Sequence, residues 1–131
     1  MYRLYWSKRT GAMAPQFLLE ELGLAYELID VNTKAGDQQS ASYLALNPMA
    51  QVPALGLPDG TLLTETAAMT LYLSDLHPQA NLAPPPPHPQ RATFLRWLMF
   101  MAVNSYGAEL RWAYPERYTT DASQINATAA A

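Results

Sequence analysis

Cysteine is absent from the 131 residues, which removes disulfides, thiolate metal sites and a cysteine nucleophile together. Histidine is nearly absent. His77 and His88 stand apart from each other and from carboxylate partners, so neither a metal site nor a catalytic triad is expected. Positive charge is scarce: eight Lys and Arg against eleven Asp and Glu give a net charge of −3 and an isoelectric point near 5.2. Lys8-Arg9 is an isolated pair, and nothing here favours nucleic acid. No apolar run is long enough for a membrane helix, and the segment 1–6 lacks the apolar stretch of a signal peptide. The expectation is a cytoplasmic chain with no nucleic-acid or membrane partner and no metal.

Half the residues are hydrophobic, enough for a packed core. Residues 2–6 are short and aromatic, a buried strand that breaks into the loop 7–11. From Ala12 the pattern is helical, with Ala14, Leu18 and Leu22 on one face, Pro15 tolerable in the first turn and Gly23 as a stop. Residues 26–31 read as a second strand, 32–37 as a loop and 38–46 as a short helix. Pro58-Asp59-Gly60 is a turn between the apolar runs 54–57 and 61–64. A helix over 66–76 follows, with Met69, Tyr72, Leu73 and Leu76 on one face. The order βαβαββα combines a right-handed parallel crossover with an antiparallel hairpin. One mixed four-stranded sheet covered by helices satisfies both, the outline of a thioredoxin-like α/β domain over residues 1–80.

The proline-rich stretch 81–89, with Pro84 to Pro87 consecutive, reads as a stiff linker. Beyond it, 90 to about 112 is a long helical pattern. Phe94, Trp97, Leu98, Met101 and Ser105 share a face, and Val103, Tyr106 and Leu110 widen it. Pro115 breaks the pattern and Asp121 reads as the N-cap of another helix. Residues 90–131 are thus expected to be the incomplete start of an all-α domain.

The stretch 47–66 carries the chemistry. Pro53 has no N–H and suits the start of a strand, and it biases Val52 toward an extended backbone. The Val52 N–H and C=O are then available to an extended ligand. The hairpin brings this edge back beside Glu65, which opens a helix. A strand edge next to a helix N-terminus suits a peptide-like molecule bearing a carboxylate.

These residues resemble the glutathione transferase superfamily, and among its classes the bacterial beta-like one. The marks are Leu4-Tyr5-Trp6 with its loop, Met13-Ala14-Pro15, Asn47-Pro48 through Gln51-Val52-Pro53-Ala54-Leu55, and Asp59-Gly60-Thr61-Leu62-Leu63-Thr64-Glu65. Thr66-Ala67-Ala68-Met69 with Tyr72-Leu73, and Arg96-Trp97, extend the match. The resemblance implies that Val52 binds the cysteinyl part of glutathione through its backbone and that Pro53 is a cis-proline. It implies further that Glu65 and Thr66 hold the γ-glutamyl end, with Gln51 and Lys34 toward the glycyl end or rim. Glutathione is then a co-substrate rather than a cofactor, its thiolate directed at a hydrophobic electrophile, and the chain a homodimer.

Activation of the thiol is where the sequence departs from the pattern. The family uses a hydroxyl or thiol donor after the first strand, because a hydrogen bond to sulfur favours the nucleophilic thiolate. The beta-like cysteine and the serine that often follows it are here Gly11 and Ala12. Ser7 and Thr10 are the candidate catalytic hydroxyls; Tyr5 is expected to pack. The alternative leaves the thiolate to backbone N–H groups and the helix dipole. Asn104 and Tyr106 are the candidates to line the electrophile pocket. Two functions follow: a glutathione transferase, or a non-catalytic glutathione-binding or scaffolding module that has lost its donor.

Overall fold

The computed structural model describes residues 1–130, which form two compact units, residues 1–85 and from Pro86 on. The first holds strands β1 (Tyr2–Trp6), β2 (Tyr26–Asp30), β3 (Ala54–Gly56) and β4 (Leu62–Leu63) with helices α1 (Met13–Glu21), α2 (Ala41–Leu46) and α3 (Thr66–Leu76). The strands form one mixed sheet in the order β2-β1-β3-β4, in which β1 is parallel to β2 and antiparallel to β3, and β3 is antiparallel to β4. This is the thioredoxin-like arrangement.

Alternation along β1 divides the two layers. Tyr2 and Leu4 point into a core completed by Leu19 of α1, Leu55 of β3, and Met69 and Leu73 of α3. Tyr5, from the other face, meets Tyr43 of α2 edge-on, with ring centroids 6.0 Å apart. Arg3 pairs with Glu27 at 3.3 Å across the parallel strands, but both side chains are at least half exposed. Such a pair contributes roughly 0–1 kcal/mol, so the sheet rests on the apolar side of β1.

The hairpin from β3 to β4 is closed by Leu57 N–H on the Thr61 carbonyl at 2.7 Å, with Gly60 at φ 91°. The Thr61 N–H donates to Asp59 Oδ1 at 2.8 Å, and this backbone bond is the main reason the Asp59 carboxyl lies below the usual carboxylate range.

Three helical details differ from the sequence pattern. In α1 the buried row is Pro15 and Leu19, while Leu18 and Leu22 flank the core and Ala14 is exposed. In α3 the row is Met69 and Leu73; Tyr72 and Leu76 remain exposed. Each core row is a strict i, i+4 pair, narrower than the expected stripe. The helix expected over 38–46 is divided. A 3-10 turn covers Asp37–Gln39, then Ser40 adopts an extended backbone and accepts the Tyr43 N–H as the N-cap of α2.

In the second unit, α4 (Arg91–Phe100) runs through a wide π-type segment (Met101–Ser105) into α5 (Tyr106–Ala113). The expected long helix is therefore one helical path with an extra residue per turn in its middle. That turn changes the phase of the side chains beyond it. Trp97 and Val103, expected to share an apolar surface, are 52% and 70% exposed. After a 3-10 turn (Pro115–Arg117), Asp121 accepts the Ser123 N–H and caps a second one (Ala122–Gln124) that leads into α6 (Ile125–Ala130). Ala131, at the end of the expected 90–131 segment, lies outside the described residues.

Leu4 and Leu73 are fully buried in the one core of the first unit. Truncating either to Ala is expected to lower the denaturant-measured stability by about 2–5 kcal/mol. Tyr72→Ala, at an exposed position of the same helix, should cost well under half of that.

Candidate functional site

The strand register gathers the chemistry at one end of the sheet. Tyr5 lies opposite Ala54, so Pro53 and Val52 run past the C-terminal end of β1 where the loop 7–12 departs. Leu63 lies opposite Leu55, so Thr64 and Glu65 return to that same end. The contacts agree with the register: the Thr66 hydroxyl donates to the Gly11 carbonyl at 3.4 Å, tying the start of α3 to the loop. On the other side the Val31 N–H donates to the Trp6 carbonyl at 2.8 Å. The loop carrying Lys34 therefore leaves from this end too.

Val52 is half-buried and the Val52–Pro53 peptide is cis. Among the described residues no hydrogen bond takes up its N–H or C=O. At the start of α3 the N–H groups of Thr66, Ala67 and Ala68 likewise find no acceptor among the described residues, and no side chain caps them. Unpartnered N–H groups at the start of an 11-residue helix favour an anion there. Glu65 precedes them with its side chain exposed and its backbone at φ 66° and ψ 110°, where side chains are strained. Donor and acceptor on Val52, an acid at Glu65 and the N–H groups of Thr66, Ala67 and Ala68 suit an extended peptide that ends in an α-ammonium and a carboxylate.

The two candidate hydroxyls are engaged within the loop. Thr10 Oγ1 donates to the Ser7 carbonyl at 2.7 Å and accepts the Ala12 N–H at 3.2 Å. Ser7, only 7% exposed, shares a 3.2 Å bond with the Thr33 hydroxyl. The Ala14 N–H at the start of α1 has no partner among the described residues.

A second layer supports Val52. Asn47, 3% exposed, and Tyr43, 7% exposed, both donate to the Gln51 carbonyl, at 2.9 Å from Asn47 Nδ2 and 2.7 Å from the Tyr43 hydroxyl. Burial is the main reason that the Tyr43 hydroxyl pKa is raised, with the nearby Asn47 side-chain amide acting in the opposite direction. The Gln51 and Lys34 side chains point to solvent. Asn104 and Tyr106 belong to the second unit, in the π segment and at the first residue of α5, and both are exposed. Sequence reasoning passed over Thr33, Tyr43 and Asn47. The spacing of Tyr43, Asn47 and Gln51, each four residues from the next, was the available signal.

An open groove of about 450 Å3 between β2 and α2, lined by Tyr5, Asp30, Asp37, Tyr43 and Leu46 among others, includes none of Val52, Glu65 or Thr66. It is a separate feature of the surface. Among the described residues no group of three His, Asp or Glu side chains is placed to hold a metal ion, and no helix is long and apolar enough to cross a membrane.

The fold and this end of its sheet define a thioredoxin-like domain whose edge at Val52 has no backbone partner among the described residues. The glutathione S-transferase N-terminal domain family matches residues 3–75, and the chain belongs to the glutathione S-transferase family. It is 33% identical over 95% of its length to the uncharacterized GST-like protein YncG of Escherichia coli K12, of which it spans 60%. A glutathione transferase homolog from Sulfitobacter, solved with bound glutathione, superposes with a TM-score of 0.90 at 30% identity, covering 99% of this chain and 62% of that one. A bacterial beta class enzyme from Sphingomonas chungbukensis gives 0.81 at 28% identity, covering 97% and 62%. The chain thus spans less than two thirds of the proteins it matches.

Two outcomes follow from the site's backbone and its buried tyrosine. Glu65→Gly should raise unfolding stability by about 1 kcal/mol, since strain of roughly 1–3 kcal/mol exceeds the entropic penalty of glycine, about 0.5–1 kcal/mol. Glu65→Ala should bring no such gain. A raised tyrosine pKa means that the folded state holds the proton more tightly. That contribution is complete below the ordinary tyrosine pKa and is lost as the pH climbs through the raised value. The fall of stability with rising pH in the alkaline range, followed by circular dichroism, should therefore be shallower in Tyr43→Phe.

Proposed function

We propose that the chain binds glutathione as an extended co-substrate and, within the longer proteins it resembles, acts as a glutathione transferase. One observation carries this reading. An unpartnered backbone edge at Val52 and an unpartnered helix start at Thr66, headed by Glu65, lie at the same end of the sheet. The Val52 N–H and C=O pair with the cysteinyl backbone, and Pro53 keeps that edge clear. Glu65 accepts from the γ-glutamyl ammonium, while the N–H groups at the start of α3, from Thr66 on, receive its carboxylate. Gln51 and Lys34 serve the glycyl end as exposed rim contacts. Glutathione bound in a homologous structure supports the assignment.

The thiol then lies by the loop 7–12. Thr10 and Ser7 act chiefly by holding that loop in shape, and the start of α1, with its unpartnered Ala14 N–H, supplies the field that favours the thiolate. By family likeness the thiolate is directed at a hydrophobic electrophile, and the chain pairs as a homodimer. A second reading, a binding module without turnover, is favoured by one observation: Gly11 and Ala12 carry no side-chain donor and both nearby hydroxyls are engaged.

Titrating bound glutathione by thiolate ultraviolet absorbance separates the two. The transferase reading expects the thiol pKa to fall by about one unit or more on binding, and to remain mostly lowered in Ser7→Ala. A thiol that keeps its free value leaves the binding module. Calorimetry tests the site itself: Glu65→Ala should weaken glutathione by roughly ten- to a hundredfold, as expected for a charge-assisted bond of about 1.5–3 kcal/mol. Unchanged affinity would refute the assignment.

A further inference from the structure

We infer that Tyr43 and Asn47 are positioning residues that aim and strengthen the Val52 N–H, an inference that rests on the glutathione reading above. The Gln51 carbonyl and the Val52 N–H belong to one peptide unit. The only cis bond among the described residues is the next one, Val52–Pro53, so the unit itself is trans and planar, and its C=O and N–H point in opposite directions. Two buried donors seize that carbonyl, the Tyr43 hydroxyl at 2.7 Å and Asn47 Nδ2 at 2.9 Å. With the carbonyl held toward α2, the Val52 N–H must face away from it.

The same two bonds polarise the amide. A carbonyl that accepts two hydrogen bonds draws electron density from its nitrogen, and the N–H becomes a stronger donor. Asn47 is fixed in turn, because its backbone N–H bonds the Tyr43 carbonyl at 2.7 Å and its Oδ1 accepts the Met49 N–H at 3.1 Å. Tyr43 is held by its edge contact with Tyr5 and by its place on α2. The chain between Asn47 and Gln51 turns through Ala50 at φ 54°, a left-handed backbone that the Asn47 bond to the Gln51 carbonyl spans. Neither side chain needs to touch the ligand. Their effect passes through one peptide plane.

The test measures that plane directly. In ligand-free protein, Tyr43→Phe and Asn47→Ala should each move the Val52 amide nitrogen resonance upfield, the response of an amide whose preceding carbonyl has lost an acceptor bond. Calorimetry should find glutathione roughly three- to tenfold weaker in each, the span of one neutral hydrogen bond. Tyr43→Phe keeps the ring and its packing, so it remains informative if Asn47→Ala does not fold. A Tyr43→Phe protein whose melting temperature falls while its Val52 resonance stays put would overturn the proposal. So would wild-type affinity for glutathione in that variant. If wild-type protein does not bind glutathione, the proposed function fails, and the ligand-free Val52 resonance still decides whether the clamp orients the peptide.

Discussion

The antiparallel register between β1 and β3 is the constraint on which the site depends. With Leu4 opposite Leu55 and Tyr5 opposite Ala54, the chain before β3 has to emerge where β1 ends. A slip of one residue would turn Leu55 out of the core and carry Val52 to the other face. Both leucines are fully buried, so the apolar core and the binding edge are set by the same pairing. The parallel β2 and the returning β4 then bring two more loops to that end.

Polar groups at this end fall into two kinds. Some are satisfied internally and hold shape: Thr10 bridges its own loop, Ser7 meets Thr33, and Asn47 and Tyr43 converge on Gln51. Others have no internal partner among the described residues, namely the backbone of Val52 and the first N–H groups of α3. In the glutathione reading proposed above, these groups around an exposed acid are where the ligand supplies bonds that solvent otherwise makes. The strained backbone of Glu65 belongs with them, because it costs stability and sets the direction from which the carboxylate leaves the chain.

Much of this was legible in the sequence. Pro53 and the Pro58-Asp59-Gly60 turn implied the strand edge and hairpin, and alternation with helical periodicity implied the mixed sheet. The 3.6-residue pattern located α1 and α3 but not their buried rows. Leu18 and Leu19 differ by one step of about 100° around the helix, and only the neighbouring element decides which faces inward. The π segment of the second unit left no mark, since none of its residues is the Gly or Pro that would signal an interrupted helix. The state of the loop hydroxyls was also beyond reach. Whether Thr10 offers its proton to a ligand or to Ser7 depends on a turn geometry that composition does not specify.

Amide chemical-shift mapping during a glutathione titration decides whether glutathione lies along Val52 and against the start of α3. Concerted, saturable shifts at Val52, Glu65, Thr66 and Ala67, with the groove around Asp30 and Asp37 unaffected, are the predicted result. Shifts confined to that groove, or none at all at millimolar glutathione, would contradict it.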